Sequence, residues 1–338
     1  MSKTNIHDVA KEAGVHRSTV SRALTGSGPV SEENRQRVLE AAKKLNYHPN
    51  TVAGALKSKR RNTWGFLSFW YSTPNSSDAY YSKALGGLLD AANQVGHRLL
   101  LQNVVGRFDQ NEDCLRFCHD SQLGGVVVLA PRTEEAGLKE LKRLSIPAVL
   151  LAYRPRDPEL NFVDLDNVKG AALVVAHLAG RGHKRIGYIG GELELSANAR
   201  DRYDGYVQAM KSAGLSLDKA VVRHGTFDPQ FAVGAARELL SYAKDQRPTA
   251  IFCATDMMAA SVVKTAESLG LKVPRDLAIA GFDDNHEIQV PGGLTTVRYP
   301  FFEAAQRAGE VLRRLTREPQ SAPLHVLLEP ELVVRGTT

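Results

Sequence analysis

The 338-residue chain has only three cysteines, Cys114, Cys118 and Cys253. That excludes a cystine-stapled secreted scaffold and agrees with a reducing cytosol. No run of about 18 apolar residues occurs, which excludes a transmembrane helix, so no membrane association is expected. The opening Met1-Ser-Lys-Thr-Asn-Ile-His-Asp8 lacks the apolar stretch of a signal peptide, and a cytoplasmic protein is expected. There is no P-loop. The turn after the first strand-like run, Tyr71-Ser-Thr-Pro-Asn-Ser-Ser77, has no glycine fingerprint to admit a pyrophosphate, which argues against a nicotinamide dehydrogenase. No cofactor is therefore expected. Cys114-x-x-x-Cys118-His119 hints at a metal site but lacks the further ligands that a tetrahedral ion needs. The two cysteines read instead as small buried residues four apart on one helix.

What is present is unevenly placed. Of the net charge of +6, residues 1–62 hold 12 Lys and Arg against 5 Asp and Glu, whereas the remaining 276 residues hold 31 against 32. A basic first fifth on a near-neutral body fits a headpiece that meets a polyanion. Residues 4–46 read as three short helices. Thr4 is a candidate cap for the first, in which Ile6, Val9, Ala10 and Ala13 make one apolar stripe. Gly14 stands where a left-handed residue ends a helix, and Val15 opens a tight turn. A second helix spans about His16 to Leu24, with Val20, Ala23 and Leu24 inward and Arg17, Ser18, Ser21 and Arg22 on the opposite face. Ser31 caps a third, whose Val38, Ala41, Ala42 and Leu45 close the core. Two arginines and two hydroxyls on one exposed face suit base edges and phosphates in a major groove. A merely solvated face would more often carry Glu and Lys.

The run Ile6-His-Asp-Val-Ala-Lys-Glu-Ala-Gly-Val-His-Arg-Ser-Thr-Val-Ser-Arg-Ala-Leu24 resembles the helix-turn-helix signature of the lactose/galactose repressor family. Val30-Ser31 and Tyr47-x-Pro49-Asn50-x-x-Ala53-x-x-Leu56 continue the pattern. The resemblance implies that Arg17, Ser18 and Arg22 read bases and that Thr19 and Ser21 hold phosphates. His16 departs from the serine that usually caps the recognition helix. Pro49 stops the third helix, and Asn50 can cap a short one running to about Lys57. In the family this hinge folds on the operator in the minor groove. Asn50, Ala53, Leu56 and Lys57 are then DNA-binding positions, with Leu56 the wedge that kinks the duplex. Gly54 weakens that helix by about 1 kcal/mol relative to alanine.

From Trp64 onward, apolar runs at 64–70, 98–101, 125–129, 148–151, 186–189, 250–253 and 277–280 alternate with amphipathic segments at 84–95, 169–179, 204–213 and 257–269. Alternation of this kind predicts an α/β class with parallel sheets flanked by helices, and about 275 residues exceed one ordinary sheet domain, so two lobes are expected. The body also resembles the family's periplasmic-binding-protein-like core. Its markers include Pro147-Ala-Val-Leu-Leu151, Asp166-Asn167-x-x-Gly170, Gly182-His-Lys-Arg-Ile186, Arg202-x-x-Gly205-Tyr206, Cys253-Ala-Thr-Asp256 and Val273-Pro-Arg-Asp-Leu-Ala-Ile-Ala-Gly-Phe-Asp-Asp284. The expected organisation is a headpiece at 1–46, a hinge at 47–61, one lobe from 62–162 and 293–322, and another from 163–292 and 323–338.

The resemblance places a small-molecule effector in the cleft, with Arg202 and Asp283 at contact positions. Arginine and aspartate offer charge-assisted bonds to vicinal hydroxyls or a carboxylate; otherwise they would be a surface ion pair and a turn residue. Asp256 is either a third contact or the cap of the following helix. Tyr71 is a stacking candidate, as are Trp70, Tyr80 and Tyr81, though aromatics near a first strand are as often core. Thr255 replaces the family's frequent Asn, and Ala152 stands where some family members have a ligand-binding Asp. His183 reads as a turn residue capping backbone groups before a strand. The partners expected are double-stranded operator DNA of near-palindromic sequence, the effector, and a second copy in a homodimer, since no appended leucine heptad follows Val333-Val-Arg-Gly-Thr-Thr338. A transport component with the same body would want an export signal, and an enzyme would want turnover of its ligand.

Overall fold

Helix α1 (Ile6–Ala13) begins at Asn5, whose side chain accepts from the backbone of His7 and Asp8 while the Asp8 carboxylate takes the Asn5 N–H at 2.8 Å. This reciprocal box fills the capping role that the sequence offers to Thr4. Gly14 closes the helix at φ 62°, a left-handed conformation that costs any other residue about 1–2 kcal/mol. Helix α2 covers Arg17–Thr25, and α3 (Glu32–Lys44) starts at Ser31, which accepts from Asn34 N. Val9, Ala13, Val20, Ala23, Val38, Ala41 and Ala42 are buried together, and Leu24 and Leu45 pack against them half-buried. A surface ion pair of 2.6 Å from Lys44 to Glu12 joins α3 to α1.

The computed structural model describes residues 5–25, 28–45, 47, 62–70, 79–108, 111–120, 123–144, 146–318 and 321–338, and the chain divides into two units, 1–61 and 62–338. In the larger unit two parallel sheets form the two lobes. The first sheet has the order β11-β5-β4-β3-β1-β2, from β1 (Thr63–Trp70), β2 (Arg98–Val105), β3 (Gly125–Leu129), β4 (Ala148–Leu151), β5 (Asn161–Leu165) and β11 (His325–Leu328). Helices α4 (Ala79–Gln94), α5 (Glu112–Asp120), a single turn α6 (Lys139–Lys142) and α11 (Phe301–Arg317) belong with it. The second sheet has the order β7-β6-β8-β9, from β6 (Ile186–Gly190), β7 (Val222–His224), β8 (Ala250–Cys253) and β9 (Ala278–Ala280). Its helices are α7 (Asn167–Gly180), α8 (Ala197–Ser212), α9 (Pro229–Leu240) and α10 (Asp256–Ser268). An antiparallel pair, β10 (Thr296–Arg298) with β12 (Glu331–Val333), adjoins it through a bridge from Thr295 to Ala280.

The mixed helical and two-lobed parallel architecture is the one expected, but the crossings between lobes fall later than 162, 293 and 322. Strand β5 pairs with β4 and β11 as far as Leu165, so the first sheet keeps the chain past 162. Strand β10 pairs with β12 and keeps it in the second lobe to Arg298, past 293. Strand β11 then returns to β5 in register Phe162 to His325, beyond 322. Cys114 and Cys118 are buried on α5, where burial pushes their thiols up to about 12 and about 11, so neither is a ready nucleophile or ligand. His183 bonds the Thr249 hydroxyl through Nδ1 at 3.0 Å rather than a backbone group. Tyr81 is a core residue, packed on Phe66 at 5.8 Å between ring centres.

Candidate functional site

The outer face of α2 presents Arg17, Ser21 and Arg22 to solvent, with Ser18 and Thr19 half-buried beside them. His16 solves the entry to this helix. Its Nδ1 accepts the Ser18 N–H at 3.3 Å and lies 2.8 Å from the Ser18 hydroxyl, so an imidazole performs the capping that a serine would. One turn on, Arg22 Nη2 donates to Ser18 Oγ at 3.4 Å, which ties this guanidinium to the exposed face. Two cations and several hydroxyls thus share one accessible helix surface. Asn50, Ala53, Leu56, Lys57 and Tyr71 lie outside the described residues.

In the body, the carboxyl ends of the strands in both sheets carry the unusual geometry. Among the described residues four non-glycine positions have positive φ, namely Ala130 at 41°, Ala152 at 54°, Asp283 at 121° and Asp284 at 52°. Ala130 and Ala152 follow β3 and β4 directly, and Asp283 and Asp284 lie in the loop that follows β9. Strain of this kind costs about 1–3 kcal/mol per residue and gathers at ligand sites. Outside the carboxyl ends of parallel strands is also where open α/β sheets bind ligands.

Arg202 projects from α8 into that region. It is 3% exposed, so it is no surface ion pair. Its Nε donates to Asn167 Oδ1 at 2.9 Å, its Nη1 to the carbonyl of Ala254 just past β8, and its Nη2 lies 3.5 Å from Asp283 Oδ1. The guanidinium also sits 3.8 Å from the centre of the Phe282 ring. A buried cation is tolerable only when paired and hydrogen-bonded, and these contacts meet that need while fixing the side chain. Asp283 is the more accessible partner, with 19% of its side chain exposed.

Behind the arginine lies a network that composition and spacing do not reveal. Asn167 is 1% exposed, and its amide nitrogen donates to Asp164 Oδ2 at 3.2 Å and to the carbonyl of Leu165 at 3.0 Å. Asp164 Oδ1 accepts the Tyr299 hydroxyl at 2.8 Å. Burial pushes the Asp164 carboxyl up to about 7, with the neighbouring Asp201 adding to the rise and bonds from Tyr299 and Leu165 N opposing it. Asp164 stands one residue before the end of β5 and Tyr299 precedes α11, so this bond laces two of the chain crossings together. The only signal in the sequence was the acid inside an apolar strand and the Asp166-Asn167 pair, whose second residue had no assigned role.

Asp256 is not a helix cap. Thr255 caps α10 by accepting Met258 N at 3.3 Å. Asp256 is 2% exposed; its Oδ1 accepts the Thr296 hydroxyl at 2.6 Å and its Oδ2 the Asn285 N–H at 2.7 Å. Burial raises its pKa, with those two bonds opposing the rise. Asp284 is held by Arg298 at 2.9 Å and Arg335 at 2.6 Å. These two acids therefore anchor both sides of the strained loop that presents Asp283.

A helix-turn-helix unit joined to a two-lobed body of periplasmic-binding type defines a DNA-binding transcription regulator with a ligand-binding domain. Residues 5–50 match the bacterial regulatory proteins of the lacI family, and residues 175–338 match the periplasmic binding protein-like domain. The chain belongs to the lacI family. It is 32% identical over 310 residues to catabolite control protein A of Priestia megaterium, covering 91% of each chain. It is 30% identical over 336 residues to the HTH-type transcriptional repressor PurR of Vibrio vulnificus, covering 98% of each. Among solved structures, the Lac repressor dimer bound to operator and the anti-inducer ONPF superposes with a TM-score of 0.88 at 25% identity, covering 100% of this chain and 99% of that one. The transcriptional regulator CelR in complex with cellobiose gives 0.76 at 27% identity, covering 99% and 100%. No helix among the described residues is long and apolar enough to cross a membrane.

Proposed function

We propose that the protein is a cytoplasmic, homodimeric repressor whose affinity for a near-palindromic operator is set by a small ligand, a sugar or sugar derivative, bound between the lobes, and that it catalyses no reaction. The observation that carries this reading is the buried Arg202 held against Asp283 at the carboxyl end of β9, on a loop whose backbone is strained. A donor fork beside a carboxylate suits vicinal hydroxyls, which both donate and accept. In this reading Asp283 and Arg202 meet the ligand. Asp256 serves the same site from behind, and Tyr71 adds a stacking surface. The cellobiose complex of CelR supports a sugar, since that chain aligns with this one over nearly its full length.

On DNA, Arg17, Ser18 and Arg22 read base edges in the major groove, and Thr19 and Ser21 hold phosphates. Asn50, Ala53, Leu56 and Lys57 serve the minor groove, with Leu56 wedged at a flexible pyrimidine–purine step in the centre of the site. Dimerisation is supported by β2, the outer strand of the first sheet among the described residues. Leu100, Leu101 and Val105 on β2 and Leu89 on the adjacent α4 are 44% to 56% exposed, an apolar surface of the type that a second copy covers. Two experiments test the proposal. Selection from random DNA should enrich two-fold symmetric sites; asymmetric sites would count against it. A thermal-shift screen across sugars, sugar phosphates and nucleobases should find its largest stabilisation among sugars, because a ligand of the native state raises its melting temperature.

A further inference from the structure

The loop after β3 and the loop after β6 belong to different lobes, yet they touch. Arg132 donates to Glu192 in a forked arrangement, from Nε to Oε2 at 3.1 Å and from Nη2 to Oε1 and Oε2 at 3.1 and 3.0 Å. Next to it the backbone N–H of Thr133 donates to the carbonyl of Leu195 at 3.2 Å. Each half is anchored in its own lobe. The Arg132 carbonyl accepts from Phe108 N at 3.0 Å, and Thr133 is fully buried. On the other side the Glu192 carbonyl accepts from Ser196 N at 3.1 Å, and Ser196 caps α8.

The same helix end is drawn further into the first lobe. Ala197, the first residue of α8, is buried in the apolar cluster of Leu67, Val104 and Phe162. Arg200 Nη2 donates to the carbonyl of Arg154 at 3.2 Å, beyond β4. A groove of about 340 Å³, lined by Glu134, Ala136 and Arg156 from one lobe and Leu193, Glu194 and Arg200 from the other, marks the seam. Helix α8 is also the helix that carries Arg202, so what grips its amino end sets where that guanidinium stands.

We infer that Arg132 and Glu192 form a clasp that holds the two lobes closed over the cleft, so that access to Arg202 and Asp283 requires this ion pair to open. The inference rests on the cleft reading above for its functional meaning. Every partner in the clasp belongs to the chain, so closure needs no bound effector. A bidentate arginine–carboxylate pair fixes one relative orientation of its two loops, which a single lysine contact would not. Both side chains are about one quarter exposed, at 23% and 27%, which leaves the pair open to screening by salt. Opening and closing are then a two-state equilibrium whose bias lies partly in this pair, and an effector shifts it only by preferring one state.

The test uses the full chain alone, with no effector and no DNA. The cysteines are all buried, so spin labels can be placed through Lys139→Cys in the first lobe and Gln230→Cys in the second, both exposed positions. Pulsed electron resonance distances should show one closed population in the parent chain. Arg132→Glu and Glu192→Arg should each add a longer-distance population, as should high salt, and the double reversal R132E/E192R should restore the parent distribution. Arg132→Gln and Glu192→Gln give the same reading if a reversed charge impairs folding. Parent-like distances in the single variants, or a double reversal as open as either single one, would overturn the clasp. This experiment can fail while the effector assignment stands, and effector titrations of Arg202 variants can fail while the clasp stands.

Discussion

Three side chains carry consequences that reach past their own contacts. His16 supplies the acceptor at the start of the reading helix. Its replacement by Ala should cost about 0.5–2 kcal/mol of helix stability, with Ser recovering most of it, as read by hydrogen exchange over α2 in the full chain. Arg22 faces outward with its guanidinium tethered to Ser18. Arg22→Ala should weaken binding to the selected operator by about 1–3 kcal/mol and relax preference at one base pair in each half-site, measured by a repeat selection. Asp164 is an acid whose pKa rises on folding from 3.8 to about 7. The native state then binds its proton more tightly than the unfolded chain does. Its contribution to stability is full at low pH and falls as pH rises from about 4 to about 7, by up to about 1.4 kcal/mol per pH unit. Asp164→Asn should remove that slope, so the difference in unfolding free energy between variant and parent should change across this window and level off above it. A constant difference from pH 4 to pH 8 would show that the carboxyl does not titrate there.

Elements differ in how openly the sequence declares them. Strands β1, β3, β4, β6 and β8 are continuous apolar runs, and buried parallel strands need no alternation, so they were legible. Strand β5 hides because Asp164 interrupts it, and β7, β10 and β12 are only three residues long with charged members. Helix α11, not among the amphipathic segments named from the sequence, buries Phe301, Val311, Leu312 and Leu315 along with alanines and a glycine on one face. Missing β5, β10 and β11 as elements is what misplaced the three crossings. The proposed site is marked in the sequence only where a charged residue stands in a motif, at Arg202 and Asp283. It was not legible where a polar residue works by being buried, at Asn167 and Asp164. Helices α7 and α8 show how closely packing and site are joined. A Cβ at Gly205 would lie 2.3 Å from the Val168 carbonyl oxygen, so Gly205→Ala must push α8 off α7. Loss of about 1–3 kcal/mol in a denaturant titration is expected. Because Arg202 lies on the same helix, effector affinity should fall with it.

At the scale of the whole molecule, the two units have separate tasks and separate chemistry. The basic headpiece supplies attraction to DNA and a reading helix, and the near-neutral body supplies two lobes laced at their crossings by Asp164 and Tyr299. Arg202 is bonded through Asn167 to that lacing, which ties the proposed ligand contact to the crossings between the lobes. In the proposed function such a connection lets a cleft ligand bias a global equilibrium, and linkage then requires the operator to bias ligand binding in return. The most direct test is operator binding by the parent, Arg202→Ala and Asp283→Asn, each with and without the compound that stabilises the parent most in the thermal screen. Asp283→Asn keeps the size and removes the charge, which separates electrostatics from packing. The parent should change its operator affinity on adding the compound. Both variants should need roughly ten- to a hundredfold more of it, the loss of about 1.5–3 kcal/mol expected for one charged hydrogen-bond partner, while melting cooperatively and binding operator normally without it. Unchanged effector midpoints in both variants would contradict the account.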